Sequence, residues 1–200
     1  INNRPPVFAI PNRKFVDEGE LQYELLDNGV ECEIYGDVVK INSSFDLSNI
    51  KAFKDGLFYI EDYSSYSCAK ALDCKEDDIV LDICAAPGGK TFTIAQSGAT
   101  VYAFDLHEHR VELIKKSVQR LELNNISASI NDALVYNAEM PVADKILCDV
   151  PCSGFGIIRR KPEIRYKNLD DIKELPQIHY DILSTSSRYL KNNGRIIYST

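Results

Sequence analysis

The sequence predicts an α/β protein, a parallel, doubly wound sheet of Rossmann-like layout preceded by a small α+β unit. Three observations carry that reading. From residue 79 onward, short apolar runs alternate with helical patterns, as expected of strands buried on both faces. The first run, ending in Asp82, breaks into a Pro87-Gly88-Gly89 turn, and a helical pattern starts at Lys90. Asp105, Asp132 and Asp149 then fall at or just past the ends of later runs, where such a sheet holds its ligands.

Taken in order, residues 1–74 read as the α+β unit. Pro5 to Ile10 suits an edge strand, because its prolines cannot donate to a ladder. Phe15 to Asn28 has a weak helical face at Leu21, Leu25 and Leu26, stopped by Asn28-Gly29. Strands at 32–35, 38–41 and 57–60 are divided by the Gly36-Asp37 and Asp55-Gly56 turns. A helix over 63–72 leads to the charged seam 75–78, where the main domain, 75–200, begins. That domain reads as strand 79–83, helix 90–97, strand 100–104, helix 108–123, strand 127–131, strand 144–148, helix 171–190 and strand 195–199. In the helix over 108–123, Val111, Ile114, Val118 and Leu121 mark a buried face.

Composition narrows the class. With 200 residues and 44% hydrophobic content the chain can bury a core, and no run of 18 apolar residues suggests a membrane span. No signal pattern opens the chain, so a cytoplasmic location is expected. It starts at Ile1, with Met140 as its sole methionine, and reads as a piece of something longer. Six cysteines and three histidines occur without a Cys-x-x-Cys spacing, which favours reduced thiols over a disulfide frame and gives a metal site no support. Net charge is −7, and eight acids lie between Asp17 and Asp37 without one Lys or Arg. Against that background the bases Arg159, Arg160, Lys161, Arg165 and Lys167 form a short basic patch that reads as a local binding site. The tyrosines at 59, 63 and 66 could stack on bases, although packing is the commoner use of such side chains.

The turn at 84–90 can be tested against two familiar phosphate-binding patterns. A P-loop needs a glycine six residues before its lysine, and position 84 is Cys. A dinucleotide fingerprint needs Gly-x-Gly-x-x-Gly, and only the pair Gly88-Gly89 is present. Asp105, closing the second strand, stands where a ribose hydroxyl pair is held. A ligand with a ribose and no pyrophosphate is expected, which suits S-adenosylmethionine; a structural turn without ligand is the alternative.

A second chemical stretch, Asp149-Val150-Pro151-Cys152-Ser153-Gly154, follows the strand over 144–148 and presents a thiol at the same edge. Together, Cys84-Ala85-Ala86-Pro87-Gly88-Gly89-Lys90-Thr91, Asp105, residues 149–154 and the closing Gly194-Arg195-Ile196-Ile197-Tyr198-Ser199-Thr200 resemble the RNA 5-methylcytosine methyltransferases. The run from Gly156 to Arg165 resembles the bacterial RsmB/Sun type, which modifies small-subunit ribosomal RNA.

That resemblance implies a class I S-adenosylmethionine methyltransferase core, incomplete at its C-terminus, in a monomeric enzyme. Residues Cys84, Ala85, Ala86, Pro87, Gly88, Gly89 and Lys90 would hold the cofactor, with Asp105 at the ribose and Asp132 near the adenine. Asp149 would lie between the methionine end and the target base, with Lys90 beside it in the catalytic set. The family attacks carbon 6 of cytosine with the thiol of a Thr-Cys pair, for which Thr200 supplies the Thr and the residue beyond it the Cys. Cys152 would then assist product release, whereas in the DNA enzymes the thiol of this turn is the nucleophile. A transfer RNA methyltransferase and a non-catalytic RNA- or cofactor-binding protein remain the competing readings.

Overall fold

Two sheets packed on a shared apolar core build the molecule, in a computed structural model that describes residues 6–42, 46–157, 164, 166 and 172–200. The first sheet has the order β2-β3-β1-β4, from β1 (Val7–Pro11), β2 (Cys32–Tyr35), β3 (Val38–Ile41) and β4 (Phe58–Glu61). β1 therefore pairs on both sides, with β3 and with β4, and is not the edge strand expected from its prolines. The reason is positional. Pro6 precedes the paired stretch and Pro11 closes it opposite Phe58, so neither removes a donor from the ladder's interior.

Helix α1 (Glu18–Asp27) covers one face of this sheet. Its start is fixed by a capping box: the Glu20 amide donates to Asp17 Oδ1 at 2.8 Å, and the Asp17 amide donates to Glu20 Oε2 at 2.9 Å. Leu21 and Leu25, one turn apart, are buried, while Leu26 faces outward. A short helix α2 (Lys51–Lys54), absent from the sequence reading, precedes β4, and α3 (Tyr63–Ala71) follows it. Tyr59 and Tyr66 are core residues, which settles those two in favour of packing.

The second sheet is parallel, with the order β7-β6-β5-β8-β9. Its strands are β5 (Ile79–Asp82), β6 (Thr100–Asp105), β7 (Ile126–Ile130), β8 (Ala143–Asp149) and β9 (Leu190–Ser199). Helices α4 (Gly89–Ala95), α5 (Glu108–Leu121) and α6 (Leu175–Ser187) connect them. The chain runs outward from β5 through β6 to β7 and then returns to β8, so strand order reverses between β5 and β8. A crevice at the carboxyl ends of those two strands is the expected ligand position.

The last helix and strand differ most from the sequence reading. The helix expected over 171–190 runs only from Leu175 to Ser187, and Leu190 already pairs with Ala143. The next partners are Lys145 and Arg195, so residues 191–194 loop out of register, with Asn193 at φ 67°. Only the stretch from Arg195 reads as a regular strand, which is why the sequence pattern marks 195–199 alone.

The two sheets share one apolar cluster, which includes Phe8, Ile10 and Tyr59 from the first and Val80, Val101 and Leu147 from the second. Polar ties reinforce it. Asn12, 1% exposed, donates to the carbonyls of Gly56 (2.9 Å) and Leu121 (2.8 Å), and Arg120 donates to those of Phe53 and Phe58. Gly56 is required here: its φ is +75°, and a Cβ would sit 2.0 Å from the Arg120 carbonyl oxygen.

Candidate active site

β5 delivers Asp82 to the crevice, 1% exposed, where Oδ2 accepts the Thr91 hydroxyl at 2.6 Å. Its Oδ1 is buried and has no hydrogen-bond partner among the described residues. Burial raises this carboxyl to about 7 despite the Thr91 bond, and the neighbouring Asp149 adds to the rise.

The turn from Cys84 to Gly88, with Ile83 before it, is held from two strands, β6 and β8. The Ile83 amide donates to Leu147, the Ala85 amide to Phe104 at 2.8 Å, and the Ala86 amide to Asp105 Oδ2 at 3.3 Å. The Ala86-Pro87 peptide is cis. Gly88 has φ +111°, and a Cβ there would lie 2.4 Å from the Phe92 ring, so only glycine lets α4 start so close to its own first turn. Lys90 on α4 reaches Asp149 Oδ2 at 2.8 Å and the Ser65 hydroxyl at 3.1 Å. Burial is the largest influence and works against its charge, but the Asp149 hydrogen bond and the charges of Asp149, Glu61 and Asp82 together outweigh it, and the ammonium is held above its ordinary value. Asp149 Oδ1 accepts the Ser199 hydroxyl from β9 at 2.5 Å.

The turn borders a cavity of about 420 Å³, lined among others by Glu61, Asp82, Cys84, Gly89, Lys90 and Asp149. An adjoining cleft of about 770 Å³ shares Asp62, Ser65, Lys90 and Asp149 with it and adds Cys152, His179, Ser199 and Thr200. Cys152 is exposed. Its turn is held by His179 of α6, whose Nε2 lies 2.6 Å from the Pro151 carbonyl and whose Nδ1 is 2.9 Å from the Tyr198 hydroxyl. Cys84, by contrast, is pushed up to about 12, first by burial and then by Asp82, which leaves it a neutral wall residue.

The sequence-derived set is thus divided. Residues 84–87, Gly89, Lys90 and Asp149 line the first cavity, Gly88 caps the helix behind them, and Lys90, Asp149 and Cys152 line the cleft. Asp105 is 2% exposed and lies under the turn, bound by the Ala86 and His107 amides and by Arg110 at 3.1 Å. Asp132 is exposed, and its side chain accepts the Leu134 amide at 2.9 Å. Arg159, Arg160, Lys161, Arg165 and Lys167 lie outside the described residues. Among the described residues no cluster of His, Cys, Asp or Glu could hold a metal ion, and no helix is long and apolar enough to cross a membrane.

Three contributors escaped the sequence reading. Asp82, a strand-ending acid directly before the turn, carried a local signal. Glu61 and His179 carried none, because a different sheet and a distant helix bring them in.

Residues 69–200 match the sequence profile of the family described as 16S rRNA methyltransferase RsmB/F. Over 198 residues the chain is 40% identical to the probable ribosomal RNA small subunit methyltransferase B of Bacillus subtilis strain 168, covering 94% of this chain and 44% of that protein. A crystal structure of the protein PH0851 superposes with a TM-score of 0.92 at 29% identity, covering 98% of this chain and 47% of that one. A methyltransferase homolog from Pyrococcus horikoshii superposes at 0.82 with 29% identity, covering 98% of this chain and 64% of that one. The chain spans about half the length of the curated relatives it matches.

Proposed function

Because the chain belongs to the 16S rRNA methyltransferase RsmB/F family, we propose that it forms the cofactor and target-base sites of an S-adenosylmethionine-dependent enzyme methylating carbon 5 of a cytosine in small-subunit ribosomal RNA. One observation carries the reading. The Cys84–Lys90 turn and the Pro151-Cys152 turn open onto adjoining cavities whose common wall includes Lys90 and Asp149.

The residues of the first cavity fit the cofactor. The glycines leave room for backbone to meet a ligand, the unpartnered Asp82 Oδ1 calls for a donor, and the surrounding carboxylates favour a cation. When bound, S-adenosylmethionine supplies an electrophilic methyl group on a sulfonium. Asp105 would take the ribose hydroxyls after exchanging its present contacts, and Asp132 would stand at the adenine. Lys90 holds Asp149 by a charge-assisted bond, and Ser199 holds it from the other side, so the carboxylate stands fixed between the two cavities.

In the cleft, this reading gives Cys152 the release of product and gives the attack on carbon 6 to the thiol expected next after Thr200. Thr200 lines the same cleft as Cys152, which supports a reading in which both thiols serve one base. The basic run from Arg159 to Lys167 would hold the RNA backbone, and the enzyme would act in the cytoplasm as a monomer. Bisulfite mapping of ribosomal and transfer RNA from a strain lacking the parent gene tests the assignment. Loss of one methylcytosine in 16S RNA is the expected result; an unchanged 16S map with a lost transfer RNA site would overturn the substrate.

A further inference from the structure

One wall of the first cavity is Glu61, the last residue of β4, so the N-terminal sheet reaches directly into the crevice of the second sheet. We propose that Glu61 binds the α-ammonium group of the cofactor's aminoacyl end; this rests on the S-adenosylmethionine reading above.

The carboxylate is prepared for a cation. Gln96 donates to the Tyr59 hydroxyl at 3.1 Å, and the Tyr59 and Thr93 hydroxyls are 2.8 Å apart. Thr93 in turn donates to Glu61 Oε2 at 3.0 Å. With Tyr59 as donor to Thr93, the one Thr93 hydroxyl hydrogen is turned toward Glu61 Oε2, with the Gly89 carbonyl at 3.2 Å as its other acceptor. The other oxygen, Oε1, stands beside Gly89, where a Cβ would approach it to 2.7 Å. A ligand group lying over the Gly88-Gly89 turn therefore meets this oxygen first.

Charge balance points the same way. The cavity gathers Glu61, Asp62, Asp82 and Asp149 against one lining cation, Lys90, which is already bonded to Asp149. Burial lifts Glu61 to about 7, with Asp82 and Asp149 adding to the rise, so the cavity lining is short of positive charge. Asp82, 1% exposed with Oδ1 unpartnered on the same wall, marks the deficit independently. An aminoacyl zwitterion answers this arrangement, with its ammonium toward Glu61 and its carboxylate toward Lys90.

Isothermal titration of the wild-type chain and of Glu61→Gln with three ligands tests the proposal. S-adenosylmethionine and S-adenosylhomocysteine carry the ammonium, and 5′-methylthioadenosine lacks the whole aminoacyl end. Glu61→Gln is expected to weaken the first two about ten- to a hundredfold, the range for a hydrogen bond to a charged group, and to leave methylthioadenosine unchanged. Weakening of S-adenosylmethionine alone would assign Glu61 to the sulfonium and overturn the proposal. Equal weakening of all three would make Glu61 a structural wall, and no change in any would remove it from the site; either result overturns it. A wild-type chain that bound neither S-adenosylmethionine nor S-adenosylhomocysteine would refute the cofactor reading itself, and the role of Glu61 with it.

Discussion

Gly88 is the residue on which the turn's shape depends most directly. At φ +111° an L side chain is strained, and the added methyl would enter the Phe92 ring. Gly88→Ala should lower stability by about 2–4 kcal/mol, combining the left-handed backbone cost with overpacking, read as a reduced urea midpoint. The buried acids make a second prediction. Glu61 and Asp82 both have folded values near 7, above those of the unfolded chain. Between about pH 4 and 7 the folded protein therefore holds protons that the unfolded chain has released. The stability those protons confer is complete at the acid end and is lost as pH rises to 7, with Lys90 and Asp149 as the charged groups facing them. The urea midpoint of the ligand-free protein should fall from pH 5 to 7, and the Glu61→Gln, Asp82→Asn pair should flatten that slope. An equally steep slope in the pair would place the titration elsewhere. Asp105→Ala should weaken S-adenosylhomocysteine by about 1.5–3 kcal/mol, as for a lost charged hydrogen bond; equal affinity would take Asp105 away from the ribose.

Elements show where sequence alone suffices. The capping box at Asp17 and Glu20 makes α1 a local matter, and Asp17→Ala should cost about 1 kcal/mol in chemical denaturation. The strand-turn-helix at 79–95 was legible for the same reason: its apolar run, its glycines and its closing acid are contiguous. β1 was not, because the same prolines fit an edge strand and a central strand that they merely flank. α2 has only four residues, too few for a periodic face. The start of β9 was hidden by the looped residues 191–194, which break its alternation. In the site, the residues on the two turns could be read from local order, while Glu61 and His179 arrive through tertiary packing. The basic run at 159–167 makes its own prediction. Five phosphate contacts imply a salt slope of roughly −3.5 on single-stranded RNA, and Arg159→Ala with Arg160→Ala should reduce it by about 1.4. An unchanged slope would separate the run from the phosphates.

At the scale of the whole molecule, the first sheet is fastened to the second through apolar packing and through Asn12, Arg120 and Tyr59. Leu72 belongs to the shared cluster and is 0% exposed. Leu72→Ala should therefore cost about 2–5 kcal/mol, and probes on either sheet should report the same transition. Two separated transitions would show that the sheets unfold independently. This fastening is what lets β4 contribute to a crevice built by β5 and β8, so a ligand in that crevice should steady both sheets together. Hydrogen exchange with and without saturating S-adenosylhomocysteine measures this most directly. The expected result is slowed exchange in the 84–90 turn and at the end of β4 around Glu61, with NADH producing neither effect. No protection at 84–90, or protection there by NADH in place of S-adenosylhomocysteine, would contradict the assignment of this crevice as a methyl-donor site.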